Sequence, residues 1–481
     1  MCKVLRITFE SFRAWRKEND VAANDHHIGT RHEAEASAIE HLWPHSNDLE
    51  WDEYTDRGLR VFASGQGSTL TDVQGRSYLD GLAGLFLVNV GHGRTEIAAA
   101  MAEQAGRLAY TASSNSTNPA TVALAETIAS ITPGDLDRVF FCSGGSEAVE
   151  TALKIAKQAQ VLRGYPKRYK VICRRGSYHG QTFGAMSLTS SAKERYFGPF
   201  MAGVSKVPSP NHYRNDFGLE GEAGDLMCAR YAEQEILAQG PEHVAAVIGE
   251  PISAANGTHL PSPAYWQELR RICDRHGVLL IMDEVITGFG RTGAMFAAEH
   301  YGVVPDIMTM AKGISSGYAP VGAVAVRREV FEPFTKHGNA INHLLTFGGH
   351  AVAAAAASKN IEIIQREHLV ERSAQMGRYL LKLADGLRQH PTVGDVRGGK
   401  GLLCAIDLVR NKETKESWGT EHPFIKGLAL RTQERGLITR VWDVLHLAPP
   451  LVITEPEVEH AIEIVDSCLT EMERKFADAI S

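Results

Sequence analysis

The chain has no Cys-x-x-Cys pair, no internal repeat and no low-complexity tract. Its 7 cysteines, Cys2, Cys142, Cys173, Cys228, Cys273, Cys404 and Cys468, are scattered along 481 residues. That excludes a zinc site of paired thiols and a disulfide framework, and it reads as reduced thiols in a cytoplasmic protein. No metal is expected. No apolar run approaches the roughly 18 residues that a membrane span requires. The N-terminus is charged from Arg13 to Asp20 and has no signal-peptide core. An excess of one charge sign is also missing. With 50 Lys+Arg against 57 Asp+Glu the net charge is −7, so neither nucleic acid nor an anionic membrane is expected as a partner.

What is present is globular. Hydrophobic residues make up 44% and charged residues 22%, and the length suggests two or three domains. Residues 1 to about 60 are polar and His-rich and read as an arm with short helices. Val61 to Asp80 carries turn signals at Gly65-Gln-Gly67 and Asp72-Val-Gln-Gly75, which predict short antiparallel strands. From Thr95 onward, helical stretches alternate with the apolar runs Arg138–Phe141, Lys170–Cys173, Val244–Ile248, Val278–Met282, Ile307–Met310 and Val321–Val326. That alternation predicts an α/β layer with a mostly parallel sheet. An Ala-rich helix from Ala351, amphipathic stretches and a strand over Gly401–Leu408 predict a smaller α+β domain. The expected division is 1–85 (arm and part of the small domain), 86–350 (large domain) and 351–481 (small domain).

Two apolar runs end in reactive residues. Val278-Leu-Leu-Ile-Met-Asp283-Glu284 delivers a carboxylate, and Asp306-Ile-Met-Thr-Met-Ala-Lys312 delivers an amine ahead of Gly313. A pyridoxal phosphate enzyme needs that pair: an amine to hold the aldehyde and an acid to keep the pyridine nitrogen protonated. Burial would lower the pKa of Lys312, and only the neutral amine attacks an aldehyde.

Other motifs fit around these two. Ser143-Gly144-Gly145-Ser146-Glu147 follows a strand and opens a helix, where glycines and free amides suit an anion; an ordinary serine-capped turn would look the same. Tyr178-His179-Gly180 follows the Lys170 strand, where an aromatic can stack on a flat ring or simply pack in a loop. Val285 could pack against the same ring. Two other patterns compete. Gly144-Gly-Ser146-Glu-Ala148 is one residue short of the Gly-x-Ser-x-Gly elbow of serine hydrolases, but no upstream oxyanion motif accompanies it. Gly394-x-x-x-x-Gly399-Lys400 partly matches a phosphate-binding loop, but Gly401 stands where Ser or Thr should bind magnesium.

In order along the chain, Ser143–Ala148, Tyr178-His179-Gly180, Glu250-Pro251, Asp283–Gly293, Ala311-Lys312-Gly313 and Thr346-Phe347-Gly-Gly-His350 resemble the class III pyridoxal-phosphate aminotransferases. The similarity runs from about Trp43 to about Leu469. It implies a fold-type-I homodimer with a seven-stranded-type sheet. Lys312, Asp283 and Tyr178 would be catalytic. Ser143, Gly144, Gly145, Ser146, His179, Glu250, Val285 and Phe347 would lie around pyridoxal 5'-phosphate, with Thr346 reaching it across the subunit interface. Gly84–Arg94, Gly313–Pro320, and Arg440 followed by Leu447–Leu451 are similar to the ω-amino acid and amine:pyruvate transaminases. Phe86 and Arg440 would contact substrate, Arg440 as a mobile arginine for carboxylates. Ala255 stands where γ-aminobutyrate and ornithine aminotransferases keep a glutamate partner for that arginine, which implies an arginine freer to swing. Phe86 and His92 depart from the usual aromatics, as do Ile341–Leu345 and Ala351 from their motif. The implied activity is amino transfer from an ω-amino acid or amine to a keto acid, with pyruvate as acceptor. Epimerases, decarboxylases and phospho-lyases of the same class are the alternatives, and a hydrolase using Ser146 is the alternative from another class.

Overall fold

The computed structural model describes residues 60–190 and 194–480, together with residues 37, 41–43 and 45. The expected N-terminal arm and Cys2 lie almost wholly outside the described residues. The chain divides into two compact units, Met1–Ser64 with Leu70–Ser77, and Gly65–Thr69 with Tyr78–Ser481. In the first, the Asp72 carboxylate accepts from the amides of Gln74 at 2.8 Å and Arg76 at 3.0 Å, and Gly75 has φ +79°. This is the turn that Asp72-x-x-Gly75 predicts.

The second unit is built on a seven-stranded sheet. Its strands in chain order are β1 (Arg138–Cys142), β2 (Lys170–Arg174), β3 (Val204–Val207), β4 (Val244–Gly249), β5 (Leu279–Asp283), β6 (Ile307–Met310) and β7 (Gly322–Val326). They lie in the order β1-β7-β6-β5-β4-β2-β3. β7 runs antiparallel to both neighbours, while β6, β5, β4, β2 and β3 are parallel to one another. Six strands coincide with the apolar runs. β3 is the seventh; it is a four-residue edge strand interrupted by Lys206, too short and too polar to stand out.

Period-two alternation sends β5 to two cores. Leu279 and Ile281 join one cluster, with Ala148, Val149, Ala152 and Ala156 of helix α1 (Gly145–Leu162); Leu280 and Met282 join the other, with residues of α2 (Gly221–Gln239) and α3 (Pro263–His276). A sheet covered on both faces leaves its carboxyl edge as the place for a ligand. Asp283 ends β5 at that edge.

The C-terminal part carries α4 (Ala351–Arg366), α5 (Leu369–Asp385) and an antiparallel sheet of β8 (Val393–Gly399), β9 (Gly401–Asn411) and β10 (Val444–Leu447). The Gly394–Lys400 pattern therefore runs along β8 and is not a phosphate loop. Leu79 and Asp80 pair in parallel with Leu437 and Ile438, which brings the 80s segment beside Arg440. No described helix is long and apolar enough to cross a membrane.

Candidate active site

Asp283 is buried at the end of β5 and paired in register with Thr309 on β6. Thr309 Oγ1 donates to Asp283 Oδ1 at 2.9 Å, and the amide of Val285 donates to the same oxygen at 3.1 Å. His179 Nδ1 lies 2.7 Å from Oδ2, in the geometry of an N–H donating to a carboxylate. Oδ1 thus receives two donors and Oδ2 only one, so Oδ2 keeps a lone pair for a further donor.

His179 joins two carboxylates. Its Nε2 lies 3.8 Å from Glu250 Oε2, which Arg174 meets at 2.8 Å. The amide of Tyr178 donates to Glu250 Oε1 at 3.0 Å. Burial pushes the Glu250 carboxyl up, but His179 and Arg174 outweigh it and hold it below the usual carboxylate range. Glu250 thereby ties the Tyr178–His179 segment to the sheet. Arg174 and Thr309 were not singled out in the sequence. A threonine inside the apolar run Ile307–Met310 was the available signal for Thr309.

Lys312 follows β6 in a left-handed conformation, φ +49°, which costs about 1–3 kcal/mol and persists only when its surroundings enforce it. The enforcing contacts are present. Asn360 Nδ2 donates to the carbonyls of Gly313 at 2.8 Å and Ile314 at 2.9 Å, and a methyl on Gly313 would lie 2.5 Å from the Asn89 amide. The turn after Lys312 is as constrained as its glycines predict. Burial lowers the Lys312 pKa; Asp283 opposes that, Arg440 adds to it, and the amine falls to about 8.

At the start of α1, Gly144 caps the helix without a side chain, leaving the first-turn amides to point outward. A methyl on Gly145 would stand 2.9 Å from Val285 Cγ1, so only glycine lets Val285 pack there. Ser146 Oγ accepts from the Gln181 amide at 3.1 Å, which leaves its proton to donate elsewhere. No histidine bonds Ser146 among the described residues, so the hydrolase arrangement is not assembled.

Phe86 is buried with φ +61° in a segment that also holds Ala83 and Gly84 at positive φ. The buried Asp80 carboxylate holds this segment by accepting from Gly84 N at 2.9 Å, and His92 Nε2 reaches the same carboxylate at 2.8 Å. The Phe86 ring faces two cations, with Lys312 Nζ 6.0 Å and Arg440 Cζ 5.2 Å from its centroid. Arg440 is anchored where free swinging was expected. Its Nη2 donates to Ala255 O at 2.5 Å and to His446 Nε2 at 2.9 Å. No described carboxylate lies within ion-pair distance of it. Thr346 and Phe347 are exposed on this chain.

An aspartate with a spare lone pair, a buried low-pKa amine, a glycine-opened helix start and a free serine proton fit one flat, phosphorylated, aldehyde-bearing cofactor. Residues 53–469 match the aminotransferase class-III family. The chain is a class III aminotransferase. These enzymes depend on pyridoxal phosphate, and the fold is fold type I. A probable aminotransferase of Mycobacterium tuberculosis is 42% identical over 86% of this chain and 91% of its own length. The putrescine–pyruvate aminotransferase of Pseudomonas aeruginosa is 36% identical, covering 91% of this chain and 96% of that protein. The solved (S)-enantioselective omega-transaminase of Thermomicrobium roseum superposes with a TM-score of 0.87 at 40% identity, covering 92% of this chain and 98% of that one. This aminotransferase therefore shares fold and family with a putrescine–pyruvate aminotransferase and with an omega-transaminase.

Proposed function

We propose that this aminotransferase moves the amino group of an ω-amino acid or other primary amine to a keto acid, with pyruvate as acceptor. The observation that carries the reading is Arg440. It is a half-buried cation beside Lys312 with no carboxylate of its own among the described residues, and a planar guanidinium suits a substrate carboxylate. The putrescine–pyruvate aminotransferase, and a taurine–pyruvate aminotransferase of Bilophila wadsworthia that is 37% identical, support the same donor and acceptor classes.

Lys312 would hold the cofactor and, once freed, takes the proton from the donor's amine-bearing carbon and, in the second half of the cycle, delivers one to the keto-acid carbon that receives the amine. The bound cofactor supplies an electron sink. Asp283 keeps its ring nitrogen protonated, and His179 and Thr309 orient that carboxylate. Tyr178 and Val285 cover the two ring faces. Ser143, Gly144, Gly145 and Ser146 hold the phosphate, and Phe347 lies near it. The working unit is a homodimer in which Thr346 completes the phosphate site of the partner. Leu344 at 64% and Phe347 at 59% exposure support a covering subunit there. Residues 86–350 form the cofactor domain, with 1–85 and 351–481 contributing arm and small domain. A cytoplasmic setting suits six buried, free cysteines.

The test is a donor panel of taurine, β-alanine, a diamine and an aryl-alkyl amine, each with pyruvate and purified holoenzyme. Alanine is expected only when a donor amine is present. Donor consumption with release of carbon dioxide or phosphate, or inversion without alanine, would replace this reading with a decarboxylase, phospho-lyase or epimerase.

A further inference from the structure

Arg440 and His446 face each other across a tight hairpin. His446 N donates to Arg440 O at 3.1 Å, Trp442 N donates to Val444 O at 3.1 Å, and Val441 bridges Leu445. His446 sits on β10, paired with Ala405 of β9, so its ring has a fixed base. The ring is buried, and its Nε2 accepts from Arg440 Nη2 at 2.9 Å. An arginine has only donors, so the nitrogen it meets must carry a lone pair. His446 is therefore the neutral imidazole. Burial, with Arg440 and Arg397 nearby, keeps its pKa well below the usual histidine range.

The rest of the guanidinium is held in kind. Its Cζ stands 5.2 Å from the Phe86 centroid and 4.4 Å from that of Trp442, and Ala255 O accepts from Nη2. Nε is buried and finds no partner among the described residues. Among the described residues, every group that fixes Arg440 is thus uncharged. A carboxylate partner would compete with an incoming substrate carboxylate for the same donors. Neutral acceptors and ring faces orient the fork and leave its charge uncompensated.

We infer that His446 is a specificity-determining positioning residue, which holds Arg440 by a neutral acceptor and so keeps it oriented and uncompensated for a keto-acid carboxylate. This rests on the proposed acceptor reading and deepens it. Trp442 serves the same end from the ring side.

The experiment compares His446→Leu, His446→Gln and Arg440→Ala with the parent holoenzyme. It measures KM and kcat for pyruvate and the dissociation constant of propionate, an unreactive carboxylate, by calorimetry. His446→Leu is expected to raise KM and the propionate constant by about 10- to 100-fold, the size of one hydrogen bond to a charged group, with a much smaller change in kcat. His446→Gln keeps an acceptor oxygen and is expected to recover most of the loss. Melting temperature and cofactor content are followed in parallel. If His446→Leu does not fold, His446→Gln against Trp442→Leu carries the test, with Trp442→Leu expected to weaken propionate binding and His446→Gln to retain it. Unchanged propionate binding in His446→Leu, with Arg440→Ala impaired, overturns the role of His446 alone. Unchanged binding in Arg440→Ala overturns the carboxylate reading as well. Equal loss in kcat and KM for His446→Leu, without recovery in His446→Gln, identifies a merely structural residue and also overturns the inference.

Discussion

The amine of Lys312 and the guanidinium of Arg440 lie against one phenyl ring, 6.0 and 5.2 Å from the Phe86 centroid. Burial disfavours the ionisation of both, and at Lys312 the charge of Arg440 adds to that effect. Lys312 falls to about 8 and Arg440 to about 10. At neutral to mildly alkaline pH a useful fraction of Lys312 is then an uncharged nucleophile, while Arg440 keeps its charge.

The first expected outcome follows from that pairing. In the cofactor-free protein, the rate of acetylation of Lys312 by limiting acetic anhydride, read by peptide mass spectrometry, should titrate near pH 8. Removing the neighbouring cation in Arg440→Leu should move the midpoint upward, because a charge that adds to the effect of burial is gone while Asp283 still opposes it. A midpoint that stays put would show that Arg440 does not act on Lys312. Lys312→Ala should abolish both borohydride-stable cofactor attachment and turnover.

Asp283→Asn keeps the shape of the side chain and the bond from Thr309 but loses the negative charge. Cofactor should still bind through the α1 start and Ser146, whereas kcat should fall by about 100-fold or more, the scale for removing one preorganised electrostatic partner. Full activity with bound cofactor would contradict the role of Asp283. Thr309→Val, which removes one of the donors fixing that carboxylate, should give a smaller loss in the same direction.

Gly180→Ala tests the phosphate side. Gly180 has φ +134°, and a methyl there would collide with the Ser146 hydroxyl. The left-handed backbone alone costs on the order of 1–3 kcal/mol for a side-chain-bearing residue. The displaced serine should also weaken cofactor retention. Both a lower melting temperature and a higher cofactor dissociation constant are expected. A variant with unchanged cofactor affinity would show that Ser146 does not need this glycine.

Much of this arrangement was legible in the chain. β5 and β6 could be read because buried parallel strands are continuous apolar runs, and each leads into a residue of the proposed chemistry, Asp283 or Lys312. Ser143–Ser146 could be read as a strand-to-helix turn, but its glycines alone do not separate an anion site from an ordinary serine-capped turn. The anchoring of Arg440 could not. His446 lies six positions away, and its pairing depends on a hairpin over Arg440–His446, held by the Val441–Leu445 bridge, that is too short for a periodic signal. Ala255 came close by fold alone and contributes a backbone carbonyl, to which sequence is blind. The absence of a glutamate there implied a loose arginine, whereas neutral groups hold it.

Glu284 gives a stability test independent of catalysis. It is fully buried next to Asp283; its Oε1 accepts from Ala298 N at 2.7 Å and its Oε2 meets the Thr287 hydroxyl. Burial pushes its carboxyl up to about 7, against the opposing effect of Thr287 and the Ala298 amide. The folded pKa therefore exceeds the unfolded value, and the folded state binds more protons between roughly pH 4.5 and 7. Stability from this group is complete below that window and is lost as pH rises through it, by an amount on the order of 3 kcal/mol. Glu284→Gln keeps an acceptor for Ala298 N and never ionises. Its melting temperature relative to the parent should be higher at pH 8 than at pH 5. An equal difference at both pH values would mean that the Glu284 carboxyl titrates alike in the folded and unfolded chain.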